Sequence, residues 1–327
     1  MPNSSGEDAV TPIVAVNPAC ENSSTDDPTL GDLSERDKPW DKHRANADKV
    51  ANHYRGDEDF SKYADRMDFC SQLLDFRLTP DGEDGKLKFK LNAARFCRVR
   101  YCPVCQWRRS LQWKAKAYKI LPKVVADFPK YRWLFLTLTV RNCEITELRD
   151  TLQWMNKSWQ RLSQRKKFPA VGWIRSTEVT RGKDGSAHPH FHCLLLVPSS
   201  YFSGRGYLKQ AEWVELWRKS LRIDYNPILD VQAIKRGKQP MSLVPELLKY
   251  CVKESDLVKD RNWFIELTKQ MHKLRCVVTG GVLKQYLKDL ENEPEDLIGK
   301  DDTEVTVDEG HVYFEWKYHE KKYRLKS

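Results

Sequence analysis

Residues 172–197 decide the fold: Gly172-Trp-Ile-Arg-Ser-Thr-Glu-Val-Thr180, then Arg181-Gly-Lys-Asp-Gly-Ser-Ala187, then His188-Pro-His-Phe-His-Cys-Leu-Leu-Leu-Val197. Two runs rich in β-branched and apolar residues flank a loop holding two glycines and an aspartate, which is the signature of a β-hairpin. Successive side chains of a strand point to opposite faces, so His190 and His192 share one face and Phe191 takes the other. A hairpin symmetric about Asp184 sets Glu178 opposite His190. Cross-strand pairs bring Cβ atoms to roughly 5 Å, so one carboxylate and two imidazoles converge. Two histidines and a carboxylate leave open positions for a phosphate oxygen, which suits Mg²⁺ or Mn²⁺ acting as a Lewis acid. A one-residue register slip turns Glu178 away and makes His188 the rival third ligand. The competing reading is a polar sheet face with solvated histidines.

Outward from the hairpin, strands and helices alternate irregularly. Residues 131–140 (YRWLFLTLTV) read as a strand buried on both faces. Short strands are expected at 86–91, 229–235 and 274–278. Helices are expected at 57–74, 107–128 (bent at Pro122), 144–167, 208–221, 245–255, 261–271 and 283–290. A turn signal stands at Thr79-Pro80-Asp81-Gly82, and a last hairpin over 304–318 turns at Asp308-Glu309-Gly310. Mixed elements with an antiparallel pair make the class α+β.

Charge is distributed unevenly along the 327 residues. Residues 1–37 hold eight acids and one base, so the net charge of +10 is a −7 segment subtracted from a +17 body. The first segment, rich in Ser, Pro, Asn and Asp, reads as a disordered acidic tail. The body holds all 11 tryptophans. Cations interleaved with aromatics suit single-stranded nucleic acid, and a tryptophan-rich core with solvated basic faces is the plainer alternative. No run reaches the ~18–20 apolar residues of a membrane span, and the N-terminus lacks a signal-peptide pattern, so a cytoplasmic protein is expected.

Nine cysteines without a secretory signal do not read as a disulfide framework. Cys20, Cys143, Cys193, Cys251 and Cys276 are scattered. Cys97-x4-Cys102-x2-Cys105, with Cys70 upstream, has the spacing of a tetrahedral Zn²⁺ site with a structural role. A thioredoxin-type pair opens a helix after a strand, whereas this knuckle lies in an arginine-rich loop. Arg98, Arg100, Arg108 and Arg109 around it suit DNA phosphates. Farther on, Pro245-Glu-Leu-Leu-Lys-Tyr-Cys-Val-Lys253 read as a helix places Glu246, Tyr250 and Lys253 on adjoining positions of one face. A tyrosine hydroxyl is a covalent nucleophile when its phenolate is stabilised, and Lys253 supplies such a field.

Taken in order, Phe135-Leu-Thr-Leu-Thr139, His188-Pro-His-Phe-His192 and Lys249-Tyr250-x2-Lys253 resemble the three motifs of HUH endonucleases, most closely the single-tyrosine rolling-circle plasmid replication initiators (Rep proteins). The cysteine knuckle and Thr279-Gly280-Gly281 resemble segments of the same group. The likeness spans about residues 70–290. It implies a five-stranded antiparallel sheet flanked by helices, with the histidines on a central strand and the tyrosine helix facing them. It also implies metal ligation by His190 and His192, and attack by Tyr250 on a scissile phosphodiester, giving a 5′-phosphotyrosine and a free 3′-hydroxyl. Glu246 matches a glutamate that activates water for terminating cleavage in part of the group. Position 254 is Glu254, so a second tyrosine one turn on is missing.

The expected organisation is thus an acidic tail (1–37), a zinc module with a basic helix (38–128), a nuclease core (129–290) and a C-terminal hairpin (291–327). The expected partners are single-stranded or hairpin origin DNA, the host helicase and polymerase, and a second copy of the chain. Two alternatives stand beside this reading: a histidine-triad-like nucleotide hydrolase, and a zinc-dependent DNA-binding protein without catalysis.

Overall fold

A computed structural model describes residues 27–80, 87–235, 240–287, 298 and 310–326. In chain order the elements are α1 (Leu30–Leu33), α2 (Pro39–Tyr54), α3 (Ser61–Asp68), β1 (Leu73–Pro80), β2 (Leu87–Ala94), α4 (Pro103–Asp127), β3 (Tyr131–Thr139), α5 (Leu148–Ser163), β4 (Gly172–Arg181) and β5 (Ala187–Pro198). There follow α6 (Gln210–Leu221), β6 (Leu229–Ala233), α7 (Val244–Leu247), α8 (Glu254–Leu257), α9 (Arg261–Gln270), β7 (Val277–Gly281), α10 (Lys284–Leu287), β8 (His311–Lys317) and β9 (Lys322–Leu325).

The central sheet has five strands in the order β6-β3-β5-β4-β7, every neighbouring pair antiparallel. The histidine strand β5 is the middle one. Its alternation sorts the core into two layers. Phe191, Cys193, Leu195 and Val197 join the cluster built with Leu152, Met155, Trp213 and Trp217 from α5 and α6. Leu194 and Leu196, in phase with the histidines, pack with Trp113, Ala117 and Leu121 of α4 and with Val244, Leu247 and Leu248. The β4–β5 register pairs Gly172 with Leu196 and Glu178 with His190, the register of a hairpin centred on Asp184.

A second sheet, β2-β1-β8-β9, joins residues far apart in sequence: β1 pairs antiparallel with β8. The C-terminal hairpin therefore completes this sheet, and its connection lies at 318–321; the turn expected at 308–310 falls outside the described residues apart from Gly310. Of the expected acidic tail, residues 1–26 lie outside the described ones. Residues 27–37 are ordered: Thr29 caps α1 through Asp32, and Leu30 is fully buried. Apolar burial of that leucine holds a segment whose composition alone predicts disorder. The core runs without interruption from Trp40 and the cysteines to the sheet, so no gap in packing marks residue 128.

Other expectations are corrected by tertiary contacts. The helix expected over 57–74 stops at Asp68. Ser71, at φ 51°, turns the chain into β1, held by its N–H to the Arg95 carbonyl (2.6 Å) and by the Tyr323 hydroxyl donating to its carbonyl (2.7 Å). Residues 39–54, unassigned from sequence, form α2 with Pro39 in its first turn. α4 runs through Pro122 without a break. Eight tryptophans are buried and the other three half-buried, so they build the core and do not form an exposed stacking surface.

The expected tyrosine helix does not form. α7 ends at Leu247, and Tyr250 lies in an irregular segment before α8. The cause is the open edge of β4. β7 covers β4 only over 172–176, and buried N–H groups beyond it need acceptors. Thr177 N–H donates to the Cys276 carbonyl (2.7 Å), Val179 N–H to the Cys251 carbonyl (2.8 Å) and Arg181 N–H to Asp256 Oδ2 (3.0 Å). The tyrosine segment is thus laid along the sheet edge, and Val252 bridges Val179 in parallel. Cys251 and Cys276, expected to be scattered thiols, meet there as a disulfide pair. Glu246, Tyr250 and Lys253 consequently share no helical face.

Candidate functional site

On the α4 side of the sheet, His190 Nε2 and His192 Nε2 lie 2.9 and 3.0 Å from the same oxygen, Glu178 Oε2. The glutamate is almost fully buried, as are both histidines. The outer nitrogens are fixed as well: His190 Nδ1 donates to the His188 carbonyl (3.3 Å), and His192 Nδ1 shares a hydrogen bond with the Thr137 hydroxyl (3.3 Å). Such contacts on Nδ1 direct the Nε2 lone pairs toward a common point. Phe135 stacks on the His192 ring at 5.7 Å. The strand motif around Thr137 therefore supplies both a hydrogen bond and a wall to the centre. The three ligand atoms lie within 4.8 Å of one another, close enough to share an ion. His188 is half-buried and outside this cluster, its ring 5.3 Å from that of His190.

The tyrosine segment delivers its own charges here. Lys249 Nζ stands 2.6 Å from Glu178 Oε2 and 2.6 Å from Glu246 Oε1, and Glu246 Oε1 stands 3.6 Å from His192 Nε2. Burial pushes the Glu178 carboxyl up, but its close contacts with His190, His192 and Lys249 outweigh it and hold the group well below the usual carboxylate range. The carboxylate is therefore ionised and the site demands positive charge. Lys253, the cation expected from sequence, is exposed at the N-cap of α8; Lys249 is the one brought to the centre. The clue was its spacing of three from Glu246. Tyr250 is half-buried, its ring 6.4 Å from that of His43, a residue of α2 that sequence reasoning missed entirely. Nothing in the pattern of α2 marks that histidine, because its partner is 211 residues away.

Cys70, Cys97, Cys102 and Cys105 form a second buried cluster. Sulfur separations are 3.5 Å for Cys97–Cys105, 3.7 Å for Cys70–Cys105 and 3.7 Å for Cys70–Cys102. Four thiolates about 2.3 Å from a tetrahedral zinc stand about 3.8 Å apart, so the arrangement fits that ion. Contacts from Cys102, Cys70 and Cys97 hold the Cys105 thiol well below its ordinary range, while burial pushes Cys102 well above it. Backbone N–H groups of Cys97 and Val99 point at Cys70 and Cys97 sulfurs (3.4 Å each), as thiolate ligands require.

The four arginines near the knuckle have different fates. Arg98 is exposed, with φ 57°. Arg100 is anchored on the Leu274 carbonyl and the Cys276 sulfur, and Arg108 lies over the rings of Trp40 and Trp107. Arg109 is buried and donates to the carbonyls of Arg98 and Arg100 (3.0 Å each), so it shapes the loop from within and has no face toward DNA.

Fold and site together define an α+β protein with two metal-competent centres, one of thiols and one of two histidines with a glutamate. Residues 88–324 match the Rep_1 family of replication proteins, and the chain belongs to that family. It is similar to the "Protein rep" of Bacillus amyloliquefaciens, 32% identical over 325 residues covering 88% of this chain and 94% of that one. A "Protein rep" of Lactiplantibacillus plantarum is 35% identical over 276 residues, 78% of this chain and 85% of its own. One from Streptococcus pneumoniae is 34% identical over 234 residues, 69% and 72% respectively. No solved structure matches the chain. The family is the one that the strand and tyrosine motifs resemble. Among the described residues no helix is long and apolar enough to cross a membrane.

Proposed function

We propose that this protein initiates rolling-circle plasmid replication by nicking single-stranded origin DNA, with Tyr250 as the nucleophile. The observation that carries this reading is the convergence of Glu178, His190 and His192 at one point, bordered by Lys249 and Glu246 from the segment that bears Tyr250. These three side chains would hold Mn²⁺ or Mg²⁺, which supplies Lewis-acid polarisation of a phosphate oxygen. Thr137 and the His188 carbonyl keep the imidazoles in the ligating tautomer. Lys249 adds a positive charge beside the scissile phosphate. The Tyr250 hydroxyl gives its proton to water as its oxygen forms a bond to phosphorus in line with the departing 3′-oxygen, which takes up a proton from water. The P–O3′ bond breaks, leaving a 5′-phosphotyrosine and a 3′-hydroxyl from which a polymerase extends. At termination that chemistry runs in reverse to join strands, or Glu246 activates water. The four-cysteine cluster would hold Zn²⁺ as a structural centre that orders the loop carrying Arg98 and Arg100.

The test is a covalent adduct. Protein incubated with Mn²⁺ and single-stranded origin DNA is expected to yield a species that survives denaturing electrophoresis and is absent for Tyr250→Phe. Cleavage and linkage by Tyr250→Phe would overturn the assignment.

A further inference from the structure

We propose that His43, held by Glu254, is a positioning residue for Tyr250, supplied by a helix that precedes the family-matched residues 88–324. The inference rests on Tyr250 being the attacking group. Glu254 follows the tyrosine by four residues and is buried. Both its oxygens are engaged from α2: His43 Nδ1 lies 2.5 Å from Oε1, and Asn46 Nδ2 donates to Oε2 at 3.1 Å. Trp107 stacks on the His43 ring at 4.5 Å with planes 21° apart. The Tyr250 ring meets it at 6.4 Å and 66°. Tyr250 is therefore flanked by an acid, and that acid is clamped by a histidine and an amide from another part of the chain.

The electrostatics give the clamp a purpose. A phenolate must develop on Tyr250 during attack, and a buried carboxylate alongside opposes it. Burial and, after it, the Glu254 charge both hold the Tyr250 hydroxyl above the ordinary phenol range. His43 Nδ1 and Asn46 Nδ2, one on each carboxylate oxygen, disperse that charge as the phenolate forms. Other charges nearby are otherwise engaged or turned outward: Lys249 is bound to Glu178 and Glu246, and Lys253 is exposed. From α4 the ring facing His43 is the uncharged Trp107, and the Arg108 guanidinium lies over that ring and the Trp40 ring. A role in folding alone predicts loss that tracks stability; the charge role predicts rescue by removing the acid.

The experiment measures single-turnover adduct formation and DNA affinity with the full chain, Mn²⁺ and single-stranded origin DNA. His43→Ala is expected to slow adduct formation about tenfold or more with DNA affinity held within about twofold. Adding Glu254→Gln to the same chain is expected to return most of the lost rate. A wild-type rate in His43→Ala overturns the proposal, and so does a folded double variant as slow as His43→Ala. If His43→Ala does not fold, His43→Gln takes its place in the same comparison. Tyr250→Phe separates the two levels. An adduct from that variant sinks the nucleophile assignment, whereas no adduct there together with an unimpaired His43→Ala sinks the His43 role alone.

Discussion

At the scale of single residues, similar side chains hold different offices because their surroundings differ. Arg109 and Arg98 are eleven residues apart in sequence, yet the buried one donates to backbone carbonyls of the loop and the other's side chain faces solvent. Arg109→Ala is expected to cost about 2–3 kcal/mol of stability, because it removes charge-assisted hydrogen bonds from those carbonyls. Arg98→Ala should leave the melting temperature nearly unchanged and lower the salt dependence of DNA binding by about one phosphate contact. Thermal unfolding and a salt titration of DNA affinity check both, and the reverse pattern would reject the assignment. Thr137 acts at one remove from the Glu178–His190–His192 cluster, through His192. Thr137→Val keeps the shape but loses the hydroxyl at His192 Nδ1, and should weaken Mn²⁺ binding about tenfold by calorimetry. An unchanged affinity would show that the hydroxyl does not orient the ring.

At the scale of elements, the β4–β7 edge depends on residues without side chains. Gly281 has φ +59°, and a Cβ there falls 2.1 Å from the Val171 carbonyl oxygen; one on Gly280 falls 2.3 Å from the Trp173 ring. Gly281→Ala combines backbone strain with a clash against main chain and is expected to cost about 2–3 kcal/mol in urea unfolding. A loss below about 0.5 kcal/mol would mean that the edge relaxes freely. β7 leaves the far half of β4 open, and that gap recruits the tyrosine segment. The motif Lys249-Tyr250 was legible in the sequence, but its helical geometry was not. An amphipathic pattern from 244 to 253 satisfies helix periodicity, and only the unsatisfied N–H groups of Thr177, Val179 and Arg181 explain why the chain prefers the sheet edge.

At the scale of the whole molecule, the four thiols sit inside the continuous core that joins α2, the second sheet and the central sheet. Loss of a ligand should therefore be felt well beyond the loop. Cys102→Ser is expected to lower bound zinc from one ion per chain to near zero and to destabilise the fold by several kcal/mol, since structural zinc contributes directly to folding. Elemental analysis alongside unfolding checks it. Full zinc content in the variant would overturn the four-thiol site. Since α2 packs against the same core and also clamps Glu254, weakened tyrosine geometry should accompany the loss.

Sequence by itself determined what lies within one strand, one hairpin or one loop. Alternation put His190 and His192 on one face, the turn around Asp184 set Glu178 opposite, and spacing singled out Cys97, Cys102 and Cys105. These are local consequences of pleat and turn geometry, so no distant contact was required to read them. The tertiary structure decided everything that joins residues far apart: Leu30 drawn into the core, β8 laid on β1, Cys251 against Cys276, and His43 on Glu254 across 211 residues. It also chose Lys249 over Lys253 as the cation at the centre. The physical reason is the same in each case. Burial of apolar surface and the pairing of buried polar groups are settled by whichever partner the completed fold supplies, and a local pattern carries no record of that partner.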